Sequence, residues 1–238
     1  MIEGILILDK PAGVSSARAV AMVKRLLPRK TKVGHAGTLD PFATGVLLIL
    51  IGKATRSCER LMDCPKTYEA VMRLGATTPT DDPESPPVPR RDAKPPSPGE
   101  LAAAAEAFVG TILQRPPAFS AMKIAGHRAY DLARSGKVVD LAPRPVRVDA
   151  IRIESYRWPD VYMTVECGRG FYVRALARDL GERLGVGGYL TALRRTAIGP
   201  FGVGDAVKVE QLTAESIETR LRPVLVVEPR PPTSVPEI

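Results

Sequence analysis

An α+β chain is what three features of this sequence predict. Apolar runs of strand length recur along it, capping signals for helices stand between them, and no internal repeat or heptad pattern joins the segments.

Residues 5–8 are four consecutive apolar side chains, the length of a strand. Ser15 or Ser16 caps a helix that ends before Pro28, because proline disfavours helix in the residue ahead of it. The apolar run 46–51 and the segment 68–74 read as further strands. Between about residues 78 and 98 eight prolines alternate with charges. Little apolar surface is available there to offset the entropy of ordering, so a mobile or polyproline-like excursion, or more simply a plain surface loop, is expected. Ser97, Pro98, Gly99 and Glu100 make a capping box with proline in the first turn, opening an alanine-rich helix through Phe108. Residues 128–134 suggest a short helix closed by Gly136. Residues 146–156 and 161–167 read as a hairpin, with Val161, Met163 and Val165 on one face. Residues 172–184 read as a helix with Arg174, Arg178 and Arg183 near one side.

At 238 residues the chain is long enough for one large domain or two small ones. Hydrophobic residues at 45% and charged residues at 25% are ordinary for a soluble globular protein. The net charge of +8 favours a polyanionic partner. Cys58, Cys64 and Cys167 are odd in number and lack metal-ligand spacing, so they read as thiols in a reducing compartment. With two histidines besides, no metal site is expected. The apolar run 46–51 falls far short of a membrane span and the N-terminus lacks a secretory hydrophobic region, which predicts a soluble, cytoplasmic protein.

The segment from Gly34 through His35, Gly37, Asp40 and Pro41 to Gly45 carries the chemistry. It is a glycine-punctuated loop holding a single carboxylate, and it runs directly into a buried strand. Pro41 fixes its own φ and pushes Asp40 toward an extended conformation. Such a loop holds one carboxylate in a fixed pose at the rim of a sheet.

These residues resemble the catalytic motif of the TruB family of pseudouridine synthases, Gly-His-x-Gly-x-Leu-Asp-Pro-x-Ala-x-Gly. Five further segments follow that family's order: Asp9 to Ser16 with Lys10 and Pro11; Lys66, Thr67 and Tyr68 with Leu74 and Gly75; Pro116 to Lys123 with Gly126 to Arg134; Gly170 to Arg174; and Leu193 to Thr196. Six motifs in order, over roughly residues 4–205, make a specific signal.

The resemblance implies a pseudouridine synthase fold: a central mixed or antiparallel sheet flanked by helices, with a catalytic cleft. It places the catalytic domain at residues 1–205, an RNA-contacting, thumb-like segment at 116–145, and a short C-terminal extension at 206–238, too short for the complete PUA domain that many members carry. It implies isomerisation of uridine in the T loop of tRNA, at position 55, by a protein expected to be monomeric. The reaction breaks the bond from C1′ to N1, turns the uracil and rejoins it through C5. No atom is gained or lost, so no cofactor is needed. Asp40 would be the catalytic group, attacking either C6 of the base or C1′ of the ribose. Arg174 matches the guanidinium that opposes the effect of burial on such a carboxylate, with Tyr172 beside it. Tyr68 matches a ring that stacks on the uracil. His35 resembles the residue that holds the nucleotide out of the RNA stack. Lys123, Arg128, Arg194 and Arg195 are expected to contact RNA, while Lys10 and Pro11 prop the catalytic loop. Gly168 and Phe171 stand where serine and threonine are more usual. An RNA-folding chaperone on the same scaffold, or a synthase for another RNA, are the alternatives.

Overall fold

The computed structural model describes residues 2–120 and 141–224 in full, and the backbone of Lys123–Ile124 and His127–Arg128. Four α-helices and fourteen strands among these residues make an α+β chain. It divides into two units: described residues 2–69 with 193–224, and described residues 70–120 with 141–192.

In the first unit β1 (Gly4–Lys10) lies antiparallel to β3 (Thr44–Ile51), from Gly4 opposite Ile51 to Lys10 opposite Gly45. The short β2 (Val33–Ala36) also pairs antiparallel with β3. The end of β12 (Gly188–Ile198) pairs parallel with the start of β3, setting Arg194 opposite Thr44 and Arg195 opposite Gly45. The sheet is therefore mixed. The apolar runs of β1 and β3 are unbroken because both faces are covered. Leu6, Leu8, Leu47 and Ile49 pack with Ala19 and Val23 of α1 (Ser16–Lys24). Ile5, Ile7, Leu48 and Leu50 pack on the other face with Leu61 of α2 (Cys58–Asp63). Each fully buried side chain of this size contributes about 1.5–3 kcal/mol. Helix α1 is capped by Ser15, whose hydroxyl accepts from the Arg18 N–H.

Residues 206–224 are part of this unit rather than an appendage to it. β14 (Val207–Lys208) adds in parallel to β1, Leu212 and Ile217 are buried in the α1-side core, and Arg222 exchanges two backbone hydrogen bonds with Ile5. The boundary expected at residue 205 thus falls inside a packed unit.

In the second unit β7 (Gly110–Gln114), β10 (Arg144–Arg157) and β11 (Asp160–Cys167) form an antiparallel array. Val161, Met163, Val165 and Cys167 point inward as their alternation requires, while Tyr162 is exposed. Helix α3 (Pro98–Glu106) has the expected capping box, Ser97 accepting from the Glu100 N–H and the Glu100 carboxylate accepting from the Ser97 N–H. Helix α4 (Val173–Arg183) follows Tyr172.

The proline-rich stretch is more firmly held than its composition suggests. β5 (Ala76–Thr77) pairs with β6 (Val88–Pro89), and Thr78 and Asp82 are buried. Hydrogen bonding takes the place of apolar burial: the Thr80 hydroxyl bonds both Asp82 and Ser85, and the Thr78 hydroxyl donates to the Asp82 carbonyl. Of the helix expected over residues 128–134, Arg128 instead belongs to a strand (His127–Arg128) paired with Lys123–Ile124. The remainder lies outside the described residues.

Candidate active-site loop and its supports

Asp40 sits half-buried on the loop that joins β2 to β3. Three side chains from distant parts of the first unit hold that loop. Lys10, fully buried, donates through Nζ to the carbonyls of Pro11 (2.9 Å), Val14 (2.7 Å) and Pro41 (3.3 Å). Ser16 accepts from the Leu39 N–H at 2.8 Å and donates to the Leu39 carbonyl at 2.9 Å. Arg195 donates to the carbonyls of Val46 (2.8 Å), Gly37 (2.9 Å) and Thr38 (3.4 Å). The Gly13 N–H adds a bond of 2.8 Å to the Pro41 carbonyl. Backbone carbonyls at a tight loop need donors when water is excluded, and here cationic side chains supply them.

Lys10 thus ties the segment that follows it, through the Pro11 and Val14 carbonyls, to Pro41 of the Asp40 loop. Arg195 is not available to RNA in the way expected of it: it is 1% exposed, and its donors point at the loop's own carbonyls. Arg194, next to it on β12, points the other way. It makes a two-pronged pair with Asp9 at 2.9 and 3.1 Å and remains partly exposed. Alternation along a strand produces this division of labour between adjacent arginines.

Tyr68, on β4 (Lys66–Leu74), is buried, with its hydroxyl 3.5 Å from the Arg195 guanidinium, which also lies 6.0 Å from the ring centroid. His35 lies on β2, just ahead of the loop. Burial first, and the Arg195 charge second, hold its imidazole below its usual pKa, which favours the neutral ring at pH 7. Its Nδ1 is enclosed without a hydrogen-bond partner among the described residues. The first unit thus gathers Asp40, His35, Tyr68, Lys10 and Arg195 around one loop.

Arg174 and Tyr172 belong to the second unit. Arg174, in the first turn of α4, is 2% exposed. It donates to the carbonyls of Thr80 and Phe119, each at 2.9 Å, and lies 3.2 Å from a carboxylate oxygen of Asp82. The other Asp82 oxygen accepts from the Thr80 hydroxyl at 2.6 Å and the Glu84 N–H at 3.0 Å. One turn on, Arg178 pairs with Asp81 (3.2 Å) and Asp179 (2.8 Å). Gln114 anchors the backbone of Tyr172 by donating to its carbonyl and accepting from its N–H. Arg144 lies over the Tyr172 ring at 5.5 Å and donates to the Gly170 carbonyl. Asp82 and Gln114 are the supporting residues that the sequence did not single out, and Ser16, read there as a possible helix cap, is the loop's anchor instead. Lys123 and Arg128 are described by their backbone alone. Among the described residues no three histidine, cysteine, aspartate or glutamate side chains gather as a metal site.

Known proteins resemble this chain over most of its length. The N-terminal domain of TruB family pseudouridylate synthases matches residues 24–173, and the C-terminal domain of tRNA pseudouridylate synthase B matches residues 174–227. The chain is 48% identical over 221 residues to tRNA pseudouridine synthase B of Arthrobacter sp. (strain FB24), covering 90% of this chain and 72% of that protein. It is 47% identical over 223 residues to the protein of the same name from Thermobifida fusca (strain YX), covering 90% and 76%. Among solved structures it resembles a chain of a Cbf5-Nop10-Gar1 complex, with a TM-score of 0.71 and 28% identity over 92% of this chain and 60% of that one. A chain of an H/ACA RNP bound to a substrate RNA containing 2'-deoxyuridine is similar at a TM-score of 0.66 and 28% identity, covering 90% and 53%. A clamped aspartate loop, the ordered motifs around it, two matching domain models and close relatives over nine-tenths of the sequence lead to one assignment: this chain belongs to the TruB family of pseudouridylate synthases.

Proposed function

We propose that this protein isomerises uridine to pseudouridine in the T loop of tRNA, at position 55, with Asp40 as the attacking group. The observation that carries this reading is the clamping of the Asp40 loop by Lys10, Ser16 and Arg195, which fixes the backbone on both sides of that carboxylate. A fixed nucleophile lowers the barrier by removing the cost of orienting it against the sugar or the base. The target nucleotide leaves the RNA stack at a cost of a few kcal/mol. Tyr68 receives the flipped uracil by stacking, and neutral His35 helps to keep the nucleotide extruded. Arg174 and Tyr172 support the reaction, as their motif implies. Lys123, Arg128 and Arg194 contact the T stem-loop, and Arg195 serves the loop rather than the RNA. We expect a cytoplasmic monomer, and neither metal nor cofactor is needed because the isomerisation gains and loses no atom and no electron.

The test is tritium release from an unmodified tRNA transcript labelled at C5 of uracil, run with the native protein and with Asp40→Asn. Release by the native protein alone, with the product mapped to the T loop, supports the reading. Tight RNA binding by both proteins without release from either would overturn it in favour of an RNA-folding role.

A further inference from the structure

The first unit carries a second basic feature that the reaction does not use. A groove of about 540 Å³ lies between the turn at residues 28–32 and the short helical segment Gly52–Ser57. Arg29, Lys30, Lys32, Lys53 and Arg56 line it, all of them exposed. Lys53 approaches Glu3 at 3.7 Å, whereas Arg29, Lys30, Lys32 and Arg56 make no ion pair among the described residues. Five cations sharing one concavity repel one another, so the groove favours a ligand that brings negative charge.

Its frame is built rather than incidental. Thr31 bonds the Pro28 carbonyl through both its N–H (3.2 Å) and its hydroxyl (2.7 Å). Lys30 sits in the left-handed region at φ 71°, which costs an L-residue about 1–2 kcal/mol. A lysine occupies this position, where glycine or asparagine would be easier. The Gly52 N–H ties the far wall to the Lys32 carbonyl at 2.9 Å, and the Thr55 hydroxyl donates to the Gly52 carbonyl at 2.8 Å.

Position decides what the groove serves. The Asp40 loop precedes β3 and the groove follows it; β3 is 8 residues long. At ~3.3 Å per residue the strand separates the two by roughly 25 Å. A nucleotide held at the loop does not reach that far. The lining also lacks the buried, converging polar groups that fix a small anion, since its charged residues are all exposed. Exposed, unpaired cations spread along an open groove suit a chain of phosphates.

We infer that this groove is a second RNA-backbone site, which takes phosphates of the tRNA lying outside the T stem-loop. The inference rests on tRNA being the substrate. Binding of whole tRNA and of the isolated T stem-loop is measured across a salt series for the native protein and for Lys30→Gln/Lys32→Gln/Arg56→Gln. With whole tRNA the triple variant should bind about tenfold more weakly near 0.1 M salt, and its log–log salt slope should shrink by about 2, each phosphate contact contributing roughly 0.7–0.9. With the isolated stem-loop the two proteins should bind alike, and turnover at saturating tRNA should be unchanged. In the unsubstituted protein, whole tRNA should protect Lys30, Lys32 and Lys53 from acetylation where the stem-loop does not, a readout that needs no variant to fold. Unchanged affinity and slope on whole tRNA, equal losses on both RNAs, or absent protection would each overturn the inference. So would protection of these lysines by inorganic phosphate alone. Failure of the substrate assignment itself registers separately, as absent tritium release by the native protein.

Discussion

Ser16 grips Leu39 from both sides, its hydroxyl accepting from the Leu39 N–H at 2.8 Å and donating to the Leu39 carbonyl at 2.9 Å, one residue before Asp40. Both bonds are buried, and Ser16 is 3% exposed. Ser16→Ala leaves two backbone groups without their partner and should cost about 2–3 kcal/mol of stability. Urea unfolding measures that loss. Tritium release measured well below the melting temperature should also fall, because the carboxylate beside Leu39 is no longer fixed.

Gly45 faces Arg195 across the parallel β3–β12 pairing at φ 100°, and a Cβ there would lie 2.2 Å from the Arg195 carbonyl oxygen. Gly45→Ala should therefore destabilise by at least about 3 kcal/mol, since backbone rather than a side-chain tip must yield. Gly13, at φ 75° with open space around its would-be Cβ, is the control. Gly13→Ala should cost only the left-handed backbone penalty of about 1–2 kcal/mol. Thermal melts of the two variants side by side make the comparison.

Asp82 is the carboxylate paired with the buried Arg174 guanidinium. Asp82→Ala removes that charge while the arginine stays inside, and should lower stability by about 3–5 kcal/mol in urea titration. Arg174→Lys should also be harmful, because an ammonium cannot reproduce the planar fork that serves Thr80, Phe119 and Asp82 together.

Burial pushes the Asp81 carboxyl up to about 6 from an ordinary 3.8, against the opposing pull of Arg178 and Arg174. A carboxyl raised on folding makes the folded state bind the extra proton between those values, so stability falls as pH rises from about 4 to about 6. The ionised group costs up to about 3 kcal/mol above that window. Asp81→Asn should then stabilise the protein at pH 7 and lose its advantage near pH 4, as melting temperatures across pH would reveal. Asparagine tolerates the φ of 59° at this position, and Arg178 keeps Asp179 and the Arg115 carbonyl.

Features set by neighbouring residues were legible in the sequence. The capping box at Ser97, the run that becomes β3, the hairpin alternation and the loop around Asp40 all depend on spacing within about a dozen positions. What escaped were charges whose setting is decided by remote acceptors. Arg195 reads as a basic surface residue until the carbonyls of Gly37, Thr38 and Val46 are placed around it. Asp82 is one acid among many in a proline-rich stretch until Arg174 arrives from α4. Ser15 and Ser16 look equivalent as caps, and only the approach of Leu39 separates the cap from the loop anchor. Residues beyond 205 read as a tail because their short strand and two buried aliphatics carry no periodic pattern.

The sequence separation of 158 between Gly37 and Arg195 gives the protein a built-in order of assembly. On the ribosome, residues 33–51 emerge and can pair long before residue 195 has been synthesised, so the carbonyls of Gly37, Thr38 and Val46 wait for a donor that the messenger encodes much later. Closing so long a span is entropically slow and happens once. A half-translated chain therefore carries the Asp40 loop without its last donor, and the loop is complete only when the arginine arrives.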